Sequence, residues 1–131
     1  MKLKNILIVY TIPRNKDQKS TLGLVKKALK KYKLNFSLAN RDKLNKTKFQ
    51  NKDLVIAAGG DGTFLRAAQF VDKQLIFGVN ADIKNKEGFF MKSDKNDFEK
   101  KLKKIIKNQF NIRKLPRLEA YMNSKKIEIF A

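Results

Sequence analysis

Apolar positions along this chain fall into two alternating rhythms. Leu3–Thr11 is a short, β-branched apolar run and reads as a buried strand. Over Asp17–Lys33, Leu22, Val25, Ala28, Leu29 and Tyr32 recur at helical spacing, with Ser20 or Thr21 as the expected start. Asn35–Ala39 is a second short strand, and Asn40–Asn51 is a polar connection with room for one helical turn. Asp53–Ala58 reads as a third strand and Gln74–Val79 as a fourth. Between them Thr63–Val71 forms a helix that carries Phe64, Leu65, Ala67 and Ala68, with Phe64 assigned to the core. Asp82–Lys95 reads as a loop. Asn96–Asn108 reads as a helix with Phe98, Leu102, Ile105 and Ile106 on one face and Asn96 or Asp97 as its cap. Strands that alternate with helices predict an α/β domain with a parallel sheet covered by helices. The rhythm changes after Asn111. Arg113–Met122 and Lys126–Phe130 read as two strands joined at Asn123-Ser124-Lys125, a hairpin that is marginal by itself. The expected division is therefore an α/β domain over 1–111 and the first strands of a truncated, β-rich second domain over 112–131.

Composition removes several kinds of chemistry. The chain has 131 residues, 42% of them hydrophobic, enough for one domain with a core. It has no cysteine, so no disulfide framework or thiolate chemistry, and no histidine, so acid–base work falls to carboxylates. No apolar run approaches a membrane span, and the N-terminal run lacks the features of a signal peptide; both point to a soluble, cytoplasmic protein without a membrane partner. The formal charge of +19 raises nucleic acid as a partner. The distribution argues otherwise. Lysines are spread along the whole chain and far outnumber the five arginines, and the densest runs, Lys26–Lys33 and Lys100–Lys107, lie on amphipathic helix patterns. They read as solvated faces, and nucleic acid is not expected as a partner.

The most informative stretch is LVIAAGGDGTFLRAA, residues 54–68. An apolar strand breaks into Gly59-Gly60-Asp61-Gly62 and resumes as a helix. Glycine admits positive φ and close approach of a ligand to the backbone, and the free N–H groups of a helix start favour anions. The turn therefore suits phosphate, although it is neither the GxGxxG nor the GxxxxGK[ST] pattern. Asp61 is the anomaly, because a carboxylate repels an anion unless it coordinates Mg²⁺ or takes a proton from an attacking hydroxyl. Both roles belong to phosphoryl transfer. The plainer alternatives are that Asp61 caps the helix and that the glycines make only a tight turn.

GGDGT after an apolar strand resembles a superfamily of NAD kinases, diacylglycerol and sphingolipid kinases and, more loosely, phosphofructokinases. The flanks are similar to NAD kinases: GGDGTFLRAA, then GVNADIKNKEGFF over 78–90, then RKLPRLEAYMNSKKIEIFA over 113–131 as the crossover into a β-rich domain. Asp82 and Glu87 bring the pattern closer to a divergent branch that includes mitochondrial-type members. The resemblance implies a Rossmann-like α/β nucleotide-binding domain and an NAD⁺ kinase activity, a transferase step of NADP biosynthesis in which ATP phosphorylates the 2′-hydroxyl of the adenosine ribose of NAD with Mg²⁺ or another divalent cation. It implies Asp61 as general base and Gly59, Gly60, Gly62 and Thr63 as the phosphate turn. Arg66, on the first turn of the helix, would pair with the NAD pyrophosphate. Asn80 would bond ligand or fix its loop, Gly88 would let the loop pass closely, and Phe89 would wall a base pocket; the alternatives are a solvated face for Arg66, a turn residue for Asn80 and a core aromatic for Phe89. No residue is expected to be a metal ligand. Family members continue past this point with an Asn-Glu segment that holds NAD, so the isolated chain is expected to be inactive, and the full-length protein is expected to be a homo-oligomer. A lipid kinase of the same superfamily and a non-catalytic nucleotide-binding module are the competing readings.

Overall fold

A computed structural model describes residues 2–82 and 90–113 of the chain. Ten short elements follow one another. They are β1 (Asn5–Tyr10), α1 (Lys16–Lys31), β2 (Asn35–Asn40), a 3-10 turn (Arg41–Lys43), α2 (Lys46–Phe49), β3 (Leu54–Gly59), α3 (Asp61–Ala68), β4 (Leu75–Asn80), β5 (Met91–Asp94) and α4 (Phe98–Ile106). All strand pairs are parallel, in the order β2-β1-β3-β4-β5.

The alternation of side chains along the two central strands sorts the helices onto two faces. Ile6, Ile8, Leu54, Ile56 and Ala58 pack with Val25 and Leu29 of α1 and Phe98, Leu102 and Ile105 of α4. Leu7, Val9 and Val55 face the other way, onto Phe49 of α2 and Ala67 of α3. Ala57 packs with Phe64 and Ala68, so Phe64 lies in the core as expected. On the first face Glu99 of α4 accepts from Lys31 Nζ at 2.7 Å and Tyr32 Oη at 2.9 Å, tying the two helices together. Lys27, Lys30 and Lys31 on α1 are exposed, as a solvated face requires.

Several boundaries differ from the sequence reading. Helix α1 begins four to five residues earlier than Ser20 or Thr21, because the side chain of Asn15 caps it by accepting from Gln18 N–H at 2.9 Å. The polar connection after β2 holds two short helical pieces, each opened by an asparagine cap, Asn40 and Asn45. The loop expected over Asp82–Lys95 ends in a strand, β5, which pairs with β4 through an irregular register between Gly78 and Val79. Its four residues, MKSD, are too short and too polar to announce a strand; only Ser93 among them is buried. Asp97 does occupy the N-cap position of α4, but its carboxylate turns back to Ser93 Oγ and Asp94 N–H. The hairpin expected after Asn111 lies, apart from Arg113, outside the described residues, as do Gly88 and Phe89. No helix among the described residues is long and apolar enough to cross a membrane.

Candidate active site at the carboxyl end of the sheet

The chain leaves β1 towards β2 on one side and returns as β3 on the other. The crevice of a parallel sheet opens where the order reverses in this way. A pocket of about 150 Å³ lies there, lined by Thr11 beyond β1, Gly59–Thr63 beyond β3, Ala81 and Asp82 beyond β4, and Gln18 and Arg41.

Gly60 is the N-cap of α3, in extended conformation at φ −121°, and supplies no side-chain cap. Asp61 is the first helical residue rather than the cap. One of its carboxylate oxygens accepts the N–H of Phe90, at the start of β5, at 2.9 Å. The capping alternative thus gives way to a carboxylate held by the backbone just before β5. Phe90 is fixed in turn by stacking on Phe64, with ring centroids 5.0 Å apart and planes 2° off parallel.

None of the described glycines has positive φ. Space, rather than backbone freedom, is what the turn asks of them. A Cβ on Gly59 would lie 2.5 Å from Thr63 Oγ1 and 3.0 Å from Thr63 Cβ, and Thr63 is fully buried. A Cβ on Gly62 would lie 3.3 Å from Arg41 Nη1. Arg41 Nη1 in turn donates to Thr63 Oγ1 at 3.2 Å.

On the other wall, Asp82 is 95% removed from solvent, with a relative exposure of 5%. Its Oδ2 accepts from the side-chain amides of Asn15 at 3.2 Å and Gln18 at 3.3 Å. Gln18 also accepts the N–H of Arg14 at 2.7 Å through its side-chain carbonyl. Asn80 ends β4 opposite Gly59 and accepts the N–H of Asp82 at 3.0 Å, so it fixes the turn beyond its strand. The backbone continues the tie, Ala81 N–H donating to Gly59 O at 2.9 Å.

Arg66 is placed differently from the sequence reading. The helix begins at Asp61, two residues earlier than expected, so Arg66 lies in its last turn, half-exposed, and pairs with Asp42. It does not line the pocket. Arg41, which sequence reasoning passed over, does. A cue was available: in a chain that uses lysine almost everywhere, arginine is scarce, and two of the five flank this turn in space.

Residues 7–110 match the ATP-NAD kinase N-terminal domain. The chain belongs to the ATP-NAD kinase family. It is 39% identical over 62 residues to an NAD kinase of Acetivibrio thermocellus, a match covering 46% of this chain and 20% of that protein. An NAD kinase of Picrophilus torridus is 34% identical over 73 residues, 56% of this chain and 26% of the relative. A probable NADH kinase of Oryza sativa subsp. japonica is 34% identical over 74 residues, 56% of this chain and 22% of the relative. The chain thus spans about a fifth to a quarter of the length of these family relatives.

Proposed function

We propose that the chain is the catalytic, nucleotide-binding part of an NAD kinase, which uses ATP to phosphorylate the 2′-hydroxyl of the adenosine ribose of NAD, giving NADP and ADP. The observation that carries this reading is Asp61: a carboxylate at the first position of a helix that no side chain caps, in the crevice where such sheets take ligands. Asp61 would accept the proton of the 2′-hydroxyl as its oxygen bonds to the γ-phosphorus and the bond to ADP breaks. The Phe90 N–H keeps one carboxylate oxygen oriented, leaving the other oxygen's direction set by the same contact. Gly59, Gly60, Gly62 and Thr63 shape the turn that meets phosphate, and Asn80 holds the facing loop. Gly88, proposed to let its loop pass closely, and Phe89, proposed to wall a base pocket, lie outside the described residues, and Arg66 acts indirectly, through Asp42.

Among the described residues no cluster of three or more metal-ligating side chains exists. Mg²⁺ in a kinase takes one or two carboxylates and completes its shell with phosphate oxygens and water. Asp82, on the pocket wall, is the carboxylate that would help hold it, leaving Asp61 for the proton. Bound there with ATP, it would offset phosphate charge.

The division into a nucleotide-binding domain over 1–111 and the start of a β-rich domain over 112–131, a cytoplasmic setting and a homo-oligomer belong to the same proposal. The spread of lysines over outward helix faces supports a reading without nucleic acid. The test is NADP formation from NAD and Mg·ATP by the product of the complete reading frame that contains this chain, followed with an NADP-specific dehydrogenase. Asp61→Asn keeps the acceptor for Phe90 N–H but cannot take the proton. Its rate should fall by at least about 10²-fold. An Asn variant with wild-type turnover would remove Asp61 from the chemistry and sink the reading.

A further inference from the structure

We propose that Arg41 is a phosphate ligand of this site, and that the glycines and threonine of the GGDGT turn serve to seat its guanidinium. The inference rests on the reading of the pocket as a nucleotide site. Three contacts form a chain from the strand end to the arginine. Gly59 lacks a side chain because Thr63 Oγ1 occupies that space, 2.5 Å from where a Cβ would stand. Thr63 Oγ1 accepts from Arg41 Nη1 at 3.2 Å. Gly62 lacks a side chain where the same Nη1 lies, 3.3 Å from a would-be Cβ. A turn that merely bound phosphate through its own backbone would have no need of such a seat.

One donor of the guanidinium is also unsatisfied. Arg41 Nε is buried and has no hydrogen-bond partner, and the carboxylate oxygen it faces, Asp42 Oδ1, is 3.9 Å away. A buried donor on a full positive charge is a standing cost, and an arriving anion that let the fork realign would remove it. Arg41 is moreover the one cation among the described residues that line the pocket, alongside Asp61 and Asp82. Without it, two carboxylates would oppose a polyphosphate. Arg66 has a bracing part in this arrangement. From the last turn of α3 it grips Asp42, the neighbour of Arg41, and so pins the 3-10 turn against the helix whose first turn meets Arg41.

The experiment is calorimetric titration of the chain with inorganic pyrophosphate, ADP and NAD, with no turnover needed. Arg41→Gln should weaken at least one of the three by tenfold or more. Arg41→Lys should remain several-fold weaker than wild type, since a point charge does not replace a planar fork. Both variants disturb the Nη1 bond to Thr63 Oγ1, so a small fall in melting temperature without ligand is expected; what separates a phosphate ligand from a purely structural arginine is that the stabilisation conferred by saturating pyrophosphate is lost in Arg41→Gln. ADP or NAD as the affected probe tells whose phosphate is held. Wild-type affinity in Arg41→Gln for all three probes, or no binding of any probe by the wild-type chain, would overturn the proposal. If Arg41→Gln does not fold, Arg41→Lys decides in the same way. Pyrophosphate binding lost in Arg41→Gln, in a protein that never forms NADP, would keep this inference and discard the kinase reading.

Discussion

The sheet has a hollow at each end, and the two are built on opposite terms. At the amino ends of β3 and β4 lies a groove of about 920 Å³. At the carboxyl ends lies the pocket of about 150 Å³ around Asp61. The large groove is bounded by Phe49 stacked on Phe70, with centroids 5.3 Å apart, and by chain turns between elements. Of its two carboxylates, Asp53 is spent on the fold, with one oxygen taking the N–H groups of Lys4 and Asn5 at 2.9 and 2.8 Å and joining the starts of β1 and β3. In the small pocket, side chains from four separate connections converge, and a guanidinium sits there with a donor unmet. Volume marks where helices fail to close over a sheet; converging polar groups with unspent capacity mark where a ligand is received.

The contrast can be broken by substitution. The largest separation is expected in turnover: Asp61→Asn should lower NADP formation by about 10²-fold or more, while Lys73→Ala in the large groove should leave it unchanged. Equal losses would mean that the groove, too, takes part. Next comes Gly59→Ala, which forces a methyl onto the buried Thr63 side chain. Overpacking of this kind costs about 1–3 kcal/mol, to be read as a melting temperature lower by several degrees. A wild-type melting temperature would show that Thr63 gives way freely and that the turn is not tightly seated. Away from both hollows, Gly23 lies in the middle of α1 with nothing within 4 Å of a Cβ position. Gly23→Ala should therefore stabilise the protein, by roughly 0.5–1 kcal/mol, through the lower entropy of the unfolded chain.

The smallest effect is one of pH. Burial pushes the Asp97 carboxyl up, but the Asp94 N–H at 3.0 Å, the Ser93 hydroxyl at 2.7 Å and Lys101 at 3.0 Å outweigh it, and the group titrates below its ordinary value. A carboxyl that is more acidic folded than unfolded contributes stability above its unfolded value of about 4, and that contribution fades as pH falls through the lower folded value. Denaturant midpoints should thus drop more steeply below about pH 4 in the wild type than in Asp97→Asn. Parallel curves would show that these bonds do not favour the charged form.

The layering of helices on a parallel sheet was legible in the sequence because long apolar periods carry it: Val25 and Leu29 on α1, or Leu102 and Ile105 on α4, admit one orientation each. The place of Asp61 at a strand-to-helix turn was legible for the same reason. What escaped depends on contacts between distant segments. Strand β5 exists because β4 offers an edge to Ser93 and its neighbours, not because MKSD favours extension. Arg41 sits in a polar run that reads as loop, and its meaning comes from Thr63, 22 residues away. Arg66 was misplaced by two residues of helix start, a shift of more than half a turn.

The buried Asp82 has a kinetic meaning as well as a chemical one. Its carboxylate holds Asn15 and Gln18 from a segment more than sixty positions earlier in the chain, and Gln18 passes the link on to the backbone of Arg14. The mouth of the pocket is thereby a single latch rather than two independent loops. Amide protons at Arg14 and at Asp82 should exchange with solvent at a common opening rate, and loss of the Asp82 carboxylate should uncouple them.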